Sequence, residues 1–327
     1  MSTNVAMTAI IPSYNRANLI TETITSALNQ TRPFAEIIVV DDASTDDTLK
    51  RLRQFGKAVT VIASSKVGVQ IARNKGVTAC STPFVTLCDS DDLLAPNYVE
   101  IVSDWLNKHP KCDSIYSNFF TFGKNGTSLD KFSSAPEGYF DGSRKDGAFL
   151  TKVPDLYGKT VAFQPLFSSG VTVRKDFYQS IGGYNPAFNG IGSEDWEYTL
   201  RAIAAGDVAL CITPLVKIRR HDGNDSHDKV RQLLGEVIVL EHALSCHEPA
   251  IYYRETILEG INSRRIQAFE LAFGAKQYSA AKTILPLITK RPATSKFFIK
   301  AKITEIVPFG KYSKRVTQQK SKTATAE

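Results

Sequence analysis

Asp89-Ser90-Asp91-Asp92 sets three carboxylates directly after the apolar run from Phe84 to Cys88. Pro83 and the acids bound that run, so it reads as a short buried parallel strand with the acids at its carboxyl end. Open α/β sheets bind their ligands along that edge. Carboxylates one residue apart can direct oxygens at one hard divalent cation, which keeps further positions for water and substrate phosphates. The pattern therefore points to a metal and diphosphate site. The same residues would also serve as an acidic turn before a helix starting near Asn97, so the rest of the chain must decide between the two.

Similar chemistry is placed at two earlier strand ends. Pro12-Ser13-Tyr14-Asn15-Arg16 is a polar turn that feeds a helix, where backbone N–H groups and partial positive charge can receive an anion. Asp41 and Asp42 close the next strand and could accept hydrogen bonds from a base or from ribose hydroxyls. Ser44 or Thr45 would cap the helix that follows. Gly68 and then Ala72-Arg73-Asn74-Lys75-Gly76 bring a cation and an amide to the same edge, and the planar fork of Arg73 suits a phosphate or the face of a base. Further on, Glu194 and Asp195 stand in a first helical turn, a position the helix dipole favours for acids. Glycines at 182, 183, 190 and 192 would let a loop deliver that turn to the site. Trp196, with Tyr139, Tyr157 and Phe163, could stack on sugar faces or pack in the core. His221 follows a basic strand end, where it could join a metal or diphosphate shell or only make a surface hydrogen bond.

The elements that must position these residues follow from periodicity. Thr8 to Ile11, Glu36 to Val40, Val59 to Ala63 and Phe84 to Cys88 are β-rich runs. Helical spacing links Ile20 to Leu28, then Leu49, Leu52 and Phe55, then Val69 to Cys80. This βαβα alternation predicts a mostly parallel sheet with right-handed crossovers. From 113 to 220 the spacing predicts strands at Ser114 to Phe122, Phe167 to Val173, Val208 to Ile212 and Leu215 to Arg219, and a helix from Glu194 to Ala205 stopped by Gly206. Gly123 to Phe163 reads as a long polar and aromatic connection. Three apolar-spaced segments, Val230 to Leu244, Ile257 to Phe273 and Tyr278 to Ile288, predict a helical extension. Gln318 to Glu327 reads as a frayed end.

Taken in order, Ile10-Ile11-Pro12-Ser13-Tyr14-Asn15-Arg16, Ile38-Val39-Val40-Asp41-Asp42-Ala43-Ser44-Thr45-Asp46, Ala72-Arg73-Asn74 and Leu87-Cys88-Asp89-Ser90-Asp91-Asp92 resemble the motifs of family 2 glycosyltransferases of the GT-A fold. Gly182-Gly183-Tyr184-Asn185 and Glu194-Asp195-Trp196-Glu197 resemble that family's acceptor-side motifs. The resemblance covers about Thr8 to His221. It implies an α/β GT-A-like fold, with a nucleotide half at 1–100, an acceptor half at 101–225 and a helical basic extension at 226–327. It also implies a nucleotide-diphosphate sugar donor, usually a uridine one, a divalent manganese or magnesium ion, and inversion at the anomeric carbon. By the same resemblance Pro12 to Arg16, Asp41 or Asp42, Arg73, Asp89 and Ser90 would hold the donor. Asp91, with Asp89 and His221, would hold the metal. Asp195, beside Glu194, would be the general base, and Gly183, Tyr184 and Trp196 would face the acceptor. The implied setting is bacterial surface polysaccharide or lipopolysaccharide assembly on a glycan or lipid-linked acceptor. A nucleotidyltransferase would share the sheet but calls for a glycine-rich basic loop after the first strand, and Ser13-Tyr14-Asn15-Arg16 has no glycine. A sugar-nucleotide or glycan-binding module without catalysis would not need Asp195.

Composition sets the remaining bounds. At 327 residues, 43% hydrophobic and 22% charged, the chain can bury a sizeable core as a soluble globular protein of about two domains. The polar start Met1-Ser2-Thr3-Asn4 and the lack of a long apolar run predict a cytoplasmic location. Five scattered cysteines without a Cys-x-x-Cys pair read as buried thiols. The net charge of +7 is local: residues 286–327 carry ten basic side chains against Glu305 and Glu327. The basic pI therefore describes the tail and not a nucleic-acid-binding body. Phe297, Phe298, Ile299, Ile303, Ile306 and Phe309 interleave with lysines there. Residues 286–322 could thus form an interfacial helix on an anionic membrane, making the protein peripheral on the inner face, or a solvated basic helix.

Overall fold

The computed structural model describes residues 5–124, 126–221 and 228–306. The expected frayed end at 318–327, the basic residues from Lys311 to Lys322 and the half-boundary near 225 lie outside them. Strands β1 (Met7–Ser13), β2 (Glu36–Asp41), β3 (Thr60–Ala63) and β4 (Phe84–Leu87) alternate with helices α1 (Ile20–Leu28), α2 (Thr48–Arg53) and α3 (Val69–Ala79). Next come β5 (Leu93–Leu94), α4 (Tyr98–Lys108), β6 (Ser114–Gly123), β7 (Gly126–Thr127), β8 (Arg144–Asp146), β9 (Phe149–Thr151) and α5 (Leu156–Ala162). Then β10 (Val171–Arg174), α6 (Lys175–Ser180), α7 (Glu194–Ala205) and β11 (Val208–Arg220) complete the sheet region. Helices α8 (Lys229–Cys246), α9 (Arg254–Gly274), α10 (Tyr278–Ile284) and α11 (Ser295–Ile306) form the extension.

The sheet runs β3-β2-β1-β4-β10-β6-β11-β9-β8. Its first four strands are parallel, β10 is antiparallel to both neighbours, and β11 is again parallel to β6. Successive residues of one strand face opposite layers: Ala9 and Ile11 pack among α1, α2 and α4, whereas Ile10 packs with α3, α6 and α7. Helices thus cover both faces of the mixed sheet. The chain leaves β1 towards β2 and later returns to β4 on its other side, so a crevice opens outside the carboxyl ends of β1 and β4.

Several local expectations change. β10 starts at Val171 and not Phe167, because Gly170 adopts φ +83° and turns Ser168 and Ser169 out of the ladder. The two strands expected between Val208 and Arg219 are one, β11, with register shifts around Pro214. Neither Ser44 nor Thr45 caps α2: both are bonded to Asn15, and Asp46 Oδ1 accepts from the Thr48 N–H at 3.0 Å instead. The long connection carries β7, β8, β9 and α5. Four cysteines are buried, but Cys246 is exposed. A cluster of Tyr157, Val161, Trp196, Leu200, Val237, Leu240 and Ile257 joins α5, α7, α8 and α9, so the extension is packed onto the sheet region.

Candidate active site

A cleft of about 730 Å³ lies at the crevice, lined by the turn after β1, by Asp42, Gly68 and Arg73, by Asp89 to Asp92, and by Gly190 and Gly192 to Asp195. That volume falls in the range of small-ligand sites. The polar turn after β1 is rigid: Asn15 takes a left-handed φ of +51°, its N–H donates to Ser44 Oγ at 2.9 Å and its Oδ1 accepts from Thr45 N–H at 2.8 Å. Tyr14 and Lys66 meet across the mouth at 2.8 Å. The two acids at the end of β2 differ in placement and partners. Asp42 lines the cleft while its carboxylate accepts from the N–H groups of Val67 and Gly68 at 2.7 and 2.8 Å. Asp41 is buried behind it and binds the Ser44 N–H at 3.1 Å.

Arg73 is 3% exposed and reaches the cleft from α3. Its Nη2 lies 2.6 Å from Asp89 Oδ1 and 3.3 Å from Ser168 Oγ, and its guanidinium stacks 4.7 Å from the centroid of the Tyr184 ring. Nε and Nη1 are buried with no hydrogen-bond partner, as is Ser13 Oγ. A buried cation normally has its donors satisfied, so these atoms mark where an anionic ligand would fit. Ser169 Oγ accepts from the Asp89 N–H at 3.2 Å.

Asp91 and His221 come together from β4's end and β11's end: His221 Nε2 is 3.0 Å from Asp91 Oδ2, and Arg16 Nε is 3.5 Å from the same oxygen. Asp89, also expected on the metal, gives its carboxylate to Arg73 and Ser168 instead. Asp92 accepts the Arg219 N–H at 2.9 Å and ties β11 to the acidic turn. Burial, then the charges of Asp91 and Asp89, raise its carboxyl well above the usual range. A different grouping of possible metal donors, Glu197, His242 and His247, has ligand atoms within 4.8 Å of one another. There both Glu197 oxygens are held by Arg201, at 2.6 and 2.7 Å, and His247 Nδ1 meets Tyr157 OH at 3.0 Å. The arginine already balances the carboxylate, so this is a polar clasp between α7 and the end of α8.

Asp195 opens α7 after Ser193, which takes a left-handed φ of +61°. Burial, and next the charge of Glu194, push the Asp195 carboxyl up to about 7. Both acids line the cleft. A carboxyl poised there can accept a proton near neutral pH. Three residues expected at the acceptor are instead interior. Trp196 is 2% exposed and donates to Thr160 O at 3.0 Å. Tyr184 is 1% exposed and sandwiched between Arg73 and Tyr198. Gly183 offers its carbonyl to Arg201 at 2.7 Å. The apolar surface of these rings is worth more buried than exposed, so they brace the site without lining it. Sequence reasoning missed Ser168, Lys66, Asn189, Arg220, Arg231 and Gln232, all of which line the cleft. The last two belong to α8, beyond the motif region, and no local signal marked them.

The Glycosyl transferase family 2 profile matches residues 8–164, which include every donor-side motif described above. The chain carries a family 2 glycosyl transferase domain. Among relatives of the family 2 domain, TuaG of Bacillus subtilis (strain 168), named for teichuronic acid biosynthesis, is 33% identical over 135 residues, 40% of this chain and 53% of that protein. Chondroitin synthase of Escherichia coli is 34% identical over 119 residues, 36% of this chain and 17% of that protein. The matches thus span about half of the first relative and much less of the second. The crystal structure of S. aureus TarS 1-349 in complex with UDP-GlcNAc superposes with a TM-score of 0.64 at 18% identity, covering 86% of this chain and 80% of that one. TarS 1-349 in complex with UDP gives 0.52 at 16% identity, covering 92% and 88%. The chain therefore shares the GT-A architecture of TarS over most of its length.

Proposed function

We propose that this protein is an inverting glycosyltransferase that moves a sugar, of hexose class, from a uridine-diphosphate donor to a hydroxyl of a glycan or lipid-linked acceptor in surface-polysaccharide assembly. The observation that carries the reading is one cleft holding both the unpartnered donors of Arg73 and Ser13 and the raised carboxyl of Asp195. The relatives named for polysaccharide synthesis support the acceptor class, and the TarS complexes with UDP and UDP-GlcNAc support the nucleotide.

Asp42 and the turn from Pro12 to Arg16 would seat the nucleoside, Asp89 and Ser90 the ribose, and Arg73 a phosphate. The oxygen and nitrogen donors of Asp91 and His221 fit a divalent cation, manganese more readily than magnesium, which prefers oxygen ligands. Such a cation would supply positive charge to the diphosphate leaving group. Asp195 takes the proton of the acceptor hydroxyl as its oxygen forms a bond to the anomeric carbon. The bond from that carbon to the diphosphate oxygen breaks with its electron pair leaving on the phosphate, and Arg73 faces the charge that develops.

Isothermal titration with UDP, with and without manganese, tests the donor site in the parent and in Asp91→Ala. Metal-dependent binding lost in the variant is expected, and screening of UDP-sugars against glycan acceptors would follow. No binding of UDP in either condition, with dTDP- or GDP-sugars binding instead, would overturn the nucleotide assignment.

A further inference from the structure

Helix α11 is apolar on two opposite sides. Phe297, Ala301 and Thr304, at i, i+4 and i+7, are buried against α9 and α10. Ile299, Ile303 and Ile306 repeat that spacing on the side facing away from the protein and are 60%, 41% and 79% exposed. Phe298, 52% exposed, widens the stripe. A globular helix ordinarily turns a polar face to water, so this stripe is a surface without a partner.

The charges around it say what the partner is. Lys296 and Lys302 flank the isoleucines, and Lys290 and Arg291 are exposed in the turn before α11. Five more basic residues follow between 311 and 322, with no acid before Glu327. A second copy of this chain seated on the stripe would set these cations against their own kind, which is unfavourable. An anionic lipid surface accepts both features: acyl chains receive the isoleucines, and headgroups receive the lysines, whose stems lie along the apolar surface. Among the described residues no helix is long and apolar enough to cross a membrane, so the contact is interfacial.

We propose that α11 docks the protein on an anionic membrane through Ile299, Ile303, Ile306 and the lysines beside them. Docking does not depend on the glycosyl-transfer reading. Only its consequence does, which is to hold the cleft near lipid-linked acceptors.

The test is sedimentation of the full chain with vesicles of phosphatidylcholine alone or mixed with phosphatidylglycerol, without donor or acceptor. The parent should bind only the mixed vesicles, less so as salt rises. Ile299→Asp with Ile303→Asp, and separately Lys296→Glu with Lys302→Glu, should each weaken binding about tenfold or more. These positions are exposed, and circular dichroism would confirm that both variants fold. Equal partitioning of parent and variants, or no binding of the parent, would overturn the proposal. So would a lipid-free dimer of the parent that Ile299→Asp dissolves, since a second copy would then cover the face.

Discussion

Arg73 and Tyr184 lie face to face, the guanidinium carbon 4.7 Å from the ring centroid, although 110 residues separate the ring's backbone from its hydrogen-bond partner Asn74 on the same helix as Arg73. Asn74 grips the Tyr184 backbone at both its N–H and its carbonyl, so the ring is a fixed plate under the cation. With Asp89 at 2.6 Å, the guanidinium is fixed at a second point, and its Nε and Nη1 are left buried without a hydrogen-bond partner.

Arg73→Lys keeps the charge but loses the planar stack and the second and third donors. UDP affinity should fall about tenfold, equivalent to about 1.4 kcal/mol, with the fold retained. Titration calorimetry on the folded variant checks this, and unchanged affinity would remove Arg73 from the donor site.

Asp195 makes activity depend on pH. A base that titrates near 7 must be ionised to work, so kcat/KM should fall about tenfold per unit as pH drops below about 7. Stability runs the other way. The folded carboxyl is raised from 3.8 to about 7, so its contribution is full below 3.8 and is lost as pH rises through about 7. Asp195→Asn should therefore be inactive yet more stable than the parent at about pH 8, on the order of 2 kcal/mol for a partly buried group, with the gap clearly smaller at about pH 5. Chemical denaturation at the two pH values measures it.

Gly235 lets α8 touch the loop ahead of Asp195. A Cβ there would stand 2.5 Å from Gly192 O and 2.6 Å from Ile191 O. Gly235→Ala should push the loop away at a cost of about 1–3 kcal/mol. Turnover should fall while UDP binding stays, because the donor residues lie on other elements. Comparing transfer rate with calorimetric UDP affinity separates the two.

His247 is 9% exposed, and burial followed by the charge of His242 lowers its imidazole from 6.5 to about 4. The fold favours the neutral ring, so this stabilisation is full above 6.5 and is lost as pH falls from 6.5 through about 4. The loss is on the order of 1–3 kcal/mol. The difference in urea stability between parent and His247→Gln should shrink over that window, and a constant difference would exclude His247 as the cause.

The local pattern of residues was enough to place the acids and the basic turn at strand ends, because strand and helix periods and turn residues are short-range properties. It was also enough to anticipate α7 from Glu194 to Ala205 and its stop at Gly206. Only the tertiary structure separated Asp41 from Asp42, since the difference is which of two adjacent acids faces the cleft and which lies behind it. Only packing placed Trp196 and Tyr184 inside, because an aromatic ring has the same type whether it meets a sugar or a neighbouring helix. His221 reaches Asp91 across 130 positions, and Arg231 enters the cleft from α8, through contacts that exist once β11 and α8 have docked. Chemistry of residue type is written locally, whereas burial and long-range proximity are properties of the folded chain, and it is these that decide which of the chemically able residues share one site.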